Sequence, residues 1–332
     1  MRSALVTGVN GQDGSYLAEL LLSKGYRVIG LVRRTAAENP YSRVNHLLPR
    51  LKLVEGDLLD AGSLIRALEL AEPDEVYNLA AQSFVGVSFR EPVATADITG
   101  VGTLRLLEAV RQVAPHARFY QASSSEMFGN VAAPQNEISP FRPRSPYAVA
   151  KLFAHASCIT YRESYGMYVA CGILFNHESP RRGAEFVTRK ISLAVAAIAR
   201  QEQRTLTLGS LDARRDWGWA PEYVDVMHRM LQMDRPEDFV VGTGVAHSVK
   251  DFCQAAFEAA GLDWREHVVQ DPELMRPAEV FDLRADSSKA RELLNWEPSM
   301  DLKDIASAMV RHDLGLSQET AGGPVWPRGL AR

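Results

Sequence analysis

The sequence predicts an α/β protein built on a doubly wound parallel sheet, with a smaller C-terminal α/β domain beside it. Three observations carry this. Short apolar runs and amphipathic helical runs alternate six times between residues 3 and 174, the pattern of parallel strands joined by right-handed crossovers. The first strand–helix junction holds Gly8-x-x-Gly11-x-x-Gly14, where glycines permit a tight turn and let a pyrophosphate approach the backbone and rest on the helix N-terminus. Beyond Asn176 the alternation gives way to Pro- and Arg-rich loops, short strands and separate helices. Together these describe a Rossmann-type sheet followed by a smaller unit.

The elements follow in order. Ser3–Thr7 is a short apolar strand, and the helix after the glycines buries Leu17, Leu20, Leu21 and Leu22 and ends at Lys24-Gly25. Tyr26–Val32 is the second strand, closed by Arg33-Arg34; Arg43–Leu48 reads as a short helix. Leu51–Val54 is the third strand, ending at Gly56-Asp57, and Ser63–Ala71 is helical. Glu75–Ala81, Phe119–Ser123 and Tyr168–Leu174 are the remaining strands, separated by helices over Thr99–Val113 and Tyr147–Tyr165. Further helices are expected over Thr188–Arg200, Pro221–Met233, Val249–Ala260, Ser287–Leu294 and Leu302–Leu314, with Asp212–Trp217 as an Arg-rich loop. The expected division is a dinucleotide-binding domain over 1–175 with a return of the chain around 217–245, a substrate-binding domain over 176–216 and 246–315, and a disordered tail over 316–332.

Composition narrows the classes. The 332 residues are 46% hydrophobic and 23% charged, ordinary for a globular protein. A net charge of −4 argues against a nucleic-acid or other generic polyanion binder. Cys158, Cys171 and Cys253 show neither metal-ligand spacing nor a disulfide framework, so no metal is expected and the thiols point to a reducing cytoplasm. Met1 leads straight into a strand, leaving no room for a signal peptide. No apolar run approaches the roughly 20 residues of a membrane span.

The chemistry concentrates at the fifth strand and the helix after it. Ser123-Ser124-Ser125-Glu126 should sit at a strand's carboxyl end, where open α/β sheets bind ligands. Ser145-Pro146 reads as an N-cap and first helical residue, so Tyr147 and Lys151 share one helix face. A lone Tyr-x-x-x-Lys would more simply be a surface tyrosine with a lysine stem lying alongside. The glycine turn upstream favours the chemical reading, in which the lysine cation favours the phenolate and makes Tyr147 a base. At the end of the second strand, 19 residues past Gly14, Arg33 and Arg34 replace the acid that suits a ribose hydroxyl. Two guanidinium groups suit a 2′-phosphate, so NADP is the expected cofactor. Asp57-Leu58 and Leu79-Ala80-Ala81 lie at the ends of strands three and four and are candidate contacts to adenine and the ribose-phosphate backbone. A substrate alcohol oriented by a hydroxyl of the Ser123–Ser125 cluster and deprotonated by Tyr147 suffices for an alcohol dehydrogenase. Glu126 is the surplus: once a neighbouring carbon is a ketone, a carboxylate can remove the acidified α-proton and expel water. Arg181, Arg182, Lys190, Arg214, Arg215 and Arg276 point to a diphosphate ligand.

Thr-Gly-x-x-Gly-Gln-Asp-Gly-Ser-Tyr-Leu (7–17), Val-Arg-Arg (32–34), Tyr-Asn-Leu-Ala-Ala-Gln-Ser (77–83), Arg-Ser-Pro-Tyr-Ala-x-Ala-Lys (144–151), Leu-Phe-Asn-His-Glu-Ser-Pro-Arg-Arg-Gly (174–183), Phe-Val-Thr-Arg-Lys-Ile (186–191) and Arg-Asp-Trp-Gly (215–218) resemble the GDP-mannose 4,6-dehydratase family of extended short-chain dehydrogenases/reductases. The resemblance runs from about residue 3 to about residue 312. It implies a redox-neutral dehydration of a GDP-sugar, GDP-mannose or a close relative such as a GDP-heptose, with NADP recycled in place. Sugar-nucleotide 4-epimerases and 4-ketoreductases share the fold and the Tyr/Lys pair but need no Glu126, and a non-catalytic NADP-binding sensor could dispense with Tyr147 and Lys151. Ser124 stands where the family often has Thr, and Ser125 where the related dTDP-glucose dehydratases have an Asp beside the Glu. The resemblance further implies Gln12, Asp13, Ser83, His177 and Arg182 as cofactor contacts, and Ser83, Asn176, Lys190, Arg215, Arg276 and Glu279 as ligands of the GDP-sugar. It implies a homotetramer made of two dimers, with the Arg43 loop near a neighbouring cofactor site.

Overall fold

The computed structural model describes residues 1–36, 39–274, 280 and 282–316. In chain order the strands and helices of the first half are β1 (Ser3–Thr7), α1 (Gln12–Ser23), β2 (Arg27–Val32), β3 (Lys52–Glu55), α2 (Ala61–Ala71), β4 (Glu75–Asn78), α3 (Val85–Arg90), α4 (Pro92–Thr95), α5 (Gly102–Val113), β5 (Arg118–Ser124), α6 (Pro146–Tyr165) and β6 (Val169–Leu174). The second half adds β7 (Asn176–Glu178), α7 (Val187–Ala199), β8 (Leu206–Leu208), β9 (Arg214–Trp219), α8 (Ala220–Met230), β10 (Phe239–Val241), β11 (Ala246–Ser248), α9 (Val249–Ala259), β12 (Val268–Gln270), β13 (Asp282–Leu283), α10 (Ser288–Leu294) and α11 (Leu302–Asp313).

Seven parallel strands form one sheet in the order β10-β6-β5-β4-β1-β2-β3. The order reverses between β1 and β4, which opens the ligand crevice of a doubly wound sheet at the strands' carboxyl ends. Both faces are covered, as a parallel sheet requires. Along β1, Ala4 and Val6 join the core beneath α1 and α8, whereas Leu5 faces α2 and α5. After residue 217, α8 packs on the α1 face and β10 extends the sheet beyond β6.

The smaller sheet is centred on β9, which pairs with β7, β11 and β13. Here the expected loop over Asp212–Trp217 is replaced by a strand. Arg-Arg-Asp-Trp-Gly-Trp lacks apolar alternation, so its strand state rests on backbone pairing with chain segments distant in sequence. Asp216 anchors it, accepting hydrogen bonds from Thr243 N (2.8 Å), Gly244 N (2.8 Å) and Ala285 N (3.1 Å). Trp217, Phe252, Phe257 and Met309 form the core that joins this sheet to α7, α9 and α11. All three cysteines are buried free thiols. Among the described residues no helix is long and apolar enough to cross a membrane.

Candidate active site

The glycine turn sits where the sheet order reverses. Gly8 adopts φ +65°, and a Cβ there would stand 3.0 Å from both N and Cα of Ala80. At Gly14 a Cβ would fall 2.3 Å from the Gly8 carbonyl oxygen, so only glycine lets α1 pack this close to the turn. Gly11 precedes α1 and has no side chain to cap it, leaving the first-turn N–H groups to an incoming anion.

A buried relay holds the opposite wall. Thr7 Oγ1 donates to Asn78 Oδ1 (2.8 Å), and Asn78 Nδ2 donates to Gln121 Oε1 (2.8 Å), crossing β1, β4 and β5. Leu79 N and Ala80 N both donate to Thr7 Oγ1 at 3.1 Å. The chain is thereby drawn off the sheet after Asn78, which ends β4 three residues before the expected Ala81. Ala81 and Gln82 follow half-buried, and Ser83 is exposed.

Gln12 and Asp13 turn inward. Gln12 Nε2 donates to the His177 carbonyl (3.1 Å), and Ser179 Oγ donates to Gln12 Oε1 (2.8 Å). Asp13 meets His177 Nε2 at 2.9 Å. The structure therefore places both residues against β7 and the turn after it, tying the glycine turn to that segment.

The four expected catalytic residues converge at the carboxyl edge of β5. Ser145 caps α6 by accepting from Ala148 N (3.1 Å), with Pro146 in the first turn, which aims Tyr147 and Lys151 at the sheet. Ser124 ends β5 and accepts from Glu126 N (3.2 Å), which curls the backbone into a short 3₁₀ turn carrying Glu126. Tyr147 is buried; burial pushes its phenol up to about 12, opposed by hydrogen bonding to Ser124 and reinforced by the Glu126 charge. This reverses the expectation that the nearby cation favours phenolate. Lys151 Nζ lies 5.8 Å from the Tyr147 ring centroid and donates to the Ala122 carbonyl at 2.7 Å instead. Burial in turn lowers Lys151 to about 8. Ser123, the neighbour, meets His155 Nδ1 at 3.0 Å.

The remaining positions fall around this centre. Arg33 and Arg34 are exposed at the end of β2. Asp57 is tied into its own turn, its Oδ1 accepting from Leu59 N at 3.0 Å, and Leu58 is buried against Gly102. Arg182 lies over the Phe186 ring at 3.8 Å and pairs with the buried Glu178 at 3.4 Å. Asn176 opens β7, Lys190 on α7 donates to the Thr207 carbonyl (2.7 Å), and buried Arg215 on β9 donates to the Val280 carbonyl (2.6 Å). Arg43 donates to Arg181 O (2.7 Å) and Asn10 O (3.4 Å) of its own chain. Arg276 and Glu279 lie outside the described residues. Sequence reasoning missed the Thr7–Asn78–Gln121 relay; polar residues at the ends of three apolar strands were its only signal.

The residues present fit a dinucleotide. The glycine cradle would receive its pyrophosphate, the exposed arginines stand beyond β2, and Gln82 Oε1 is buried with no hydrogen-bond partner among the described residues. Fold and site define a nicotinamide-dependent enzyme of the short-chain dehydrogenase/reductase type. Solved structures agree: UDP-glucose 4-epimerase from Thermotoga maritima superposes with a TM-score of 0.83 at 25% identity, covering 93% of this chain and 97% of that one. The dTDP-glucose 4,6-dehydratase DesIV from Streptomyces venezuelae, solved with NAD, gives 0.82 at 26% identity over 94% and 96%. RMD from Pseudomonas aeruginosa, complexed with NADPH, gives 0.77 at 25% identity over 94% and 99%. The family model for GDP-mannose 4,6 dehydratase matches residues 5–309. GDP-mannose 4,6 dehydratase 1 of Arabidopsis thaliana is 50% identical over 95% of this chain and 90% of its own, and the Vibrio cholerae GDP-mannose 4,6-dehydratase 48% identical over 96% of each. The chain belongs to the GDP-mannose 4,6-dehydratase family, a family of hydro-lyases.

Proposed function

We propose that the chain converts GDP-mannose to GDP-4-keto-6-deoxymannose with bound NADP. The observation that carries this is the meeting of Glu126 with the Ser124–Tyr147 pair at one strand end, since oxidation alone would not need the carboxylate. A bound nicotinamide dinucleotide supplies hydride acceptance and return within one turnover. Ser124 orients the sugar 4-hydroxyl, and Tyr147 takes its proton, against a raised phenol that the cationic lysine and the bound cofactor would have to bring down. Glu126 removes the C5 proton, acidified by the C4 ketone. Two protons are then returned, one to the hydroxyl leaving C6 as water and one to C5. Ser125 rather than an aspartate stands beside Glu126, so Tyr147 and Glu126 are the acids at hand.

Arg33 and Arg34 support NADP over NAD, and Asn176, Lys190 and Arg215, with Arg276 and Glu279, are assigned to the GDP-sugar. Exposed Val93, Val149 and Phe153 on α4 and α6 would give a second copy an apolar surface to bury, consistent with a tetramer made of two dimers in the cytoplasm. Incubation with GDP-mannose and no added reductant tests the reading: a 4-keto-6-deoxy sugar is expected, and a simple epimer overturns it.

A further inference from the structure

Between α4 and α5 the chain stays helical but opens into a π turn over Ala96–Val101. Such turns are single-residue bulges within helices and gather at functional sites. Three buried threonines, four apart, span it: Thr95, Thr99 and Thr103. Each lends an oxygen to the chain that leaves β4. Thr103 Oγ1 accepts from Asn78 Nδ2 (3.1 Å), Thr99 Oγ1 from Gln82 N (3.1 Å), and Thr95 Oγ1 from Gln82 Nε2 (3.4 Å). Two of the hydroxyl protons are spent on the helix, Thr95 on Glu91 O (2.8 Å) and Thr103 on Thr99 O (3.0 Å), which leaves their lone pairs for the loop.

The other side of the same turn touches α6. A Cβ on Gly100 would stand 3.3 Å from the Ala150 carbonyl and 3.2 Å from Phe153 Cδ1, one residue from Lys151. One bulge thus contacts both the loop over 79–83 and the helix that carries Tyr147 and Lys151. Removing its extra residue would rotate Thr95 and Thr99 by about 100° relative to α5 and Thr103, taking Thr99 off Gln82.

We infer that Thr99 is a positioning residue: the π turn aims its hydroxyl at Gln82 N and holds the 79–83 loop in the shape that receives the dinucleotide. The inference rests on reading that loop as a cofactor contact. Thr99→Val keeps the shape and removes the acceptor, leaving the Gln82 N–H unpaired, whereas Thr99→Ser keeps it.

The test measures NADP+ binding by titration calorimetry, kcat and KM for GDP-mannose, and Tm, on the full chain freed of bound nucleotide. Thr99→Val is expected to weaken NADP+ binding about tenfold and to lower kcat, with Thr99→Ser within about twofold of the parent. Thr99→Ala replaces Thr99→Val should the latter not fold. Parent-like NADP+ binding in Thr99→Val, a lowered Tm without a change in binding, or failure of Thr99→Ser to restore binding overturns the inference while leaving the loop reading intact. Absence of NADP+ binding by the parent protein would overturn the loop reading and the inference with it.

Discussion

Asp13 and His177 meet at 2.9 Å and join the first turn of α1 to β7. The other imidazole nitrogen, Nδ1, faces the Phe175 carbonyl at 2.8 Å, and Tyr223 stacks on the ring at 4.4 Å between centroids. Burial alone would raise the Asp13 carboxyl, but the charge and hydrogen bond of His177, with help from Gln12 and Arg182, bring it down to about 2. A depressed carboxyl stabilises the fold above its ordinary range and stops doing so as pH falls through the folded value. The contribution is about 2 kcal/mol, present above about pH 4 and lost toward pH 2. Thermal melts across pH 5 to 2 should be less steep in Asp13→Asn than in the parent. Parallel curves would remove this pair from the acid response.

Glu126→Gln should lower product formation by at least about 100-fold, the usual scale of a lost general base. Exchange of the C5 hydrogen with deuterated solvent should vanish, while NADP+ binding stays within about twofold. Undiminished turnover in this variant would take Glu126 out of the elimination.

Lys151 is held near 8 by burial, against an ordinary value of 10.5. That difference corresponds to about 3 kcal/mol set against the charged form. The folded state therefore releases its proton before the unfolded state does, and this residue's contribution to stability rises with pH between about 8 and 10.5. Lys151→Met is expected to lose most activity at pH 7 yet melt no lower than the parent. A clearly lower melting temperature would show that its bond to the Ala122 carbonyl outweighs the burial cost.

Arg33→Ala combined with Arg34→Ala should weaken NADP+ binding by about 10- to 100-fold, since each charged hydrogen bond contributes about 1.5–3 kcal/mol when fully formed and less when exposed. NAD+ binding should hardly change. Equal losses for the two nucleotides would assign the arginines to general phosphate attraction and not to the 2′-phosphate.

Much of the site was legible in the chain because its signals are local. The Ser145-Pro146 cap places Tyr147 and Lys151 within one helical turn, and Gly8, Gly11 and Gly14 lie within one strand–helix junction. Both depend on backbone conformation over a few residues, which neighbouring side chains dictate. The six alternations of strand and helix likewise pointed to a doubly wound parallel sheet, while the seventh strand, β10, came from beyond them.

Tertiary structure decided the rest. Asp212–Trp217 reads as an Arg-rich loop, yet Arg214–Trp219 forms a strand because β7, β11 and β13 supply its hydrogen bonds. The π turn at 96–101 overlaps the start of what reads as an ordinary helix from Thr99, and its contacts with Gln82 and α6 join segments distant in sequence. The sign of the Tyr147 shift also lay beyond the sequence. Residue spacing puts a lysine beside a tyrosine, but the depth of burial and the direction in which Lys151 points are set by the packing of α6 on β5 and β6. Periodicity and capping act within one element, whereas desolvation and long-range hydrogen bonding exist only once elements far apart in sequence have met.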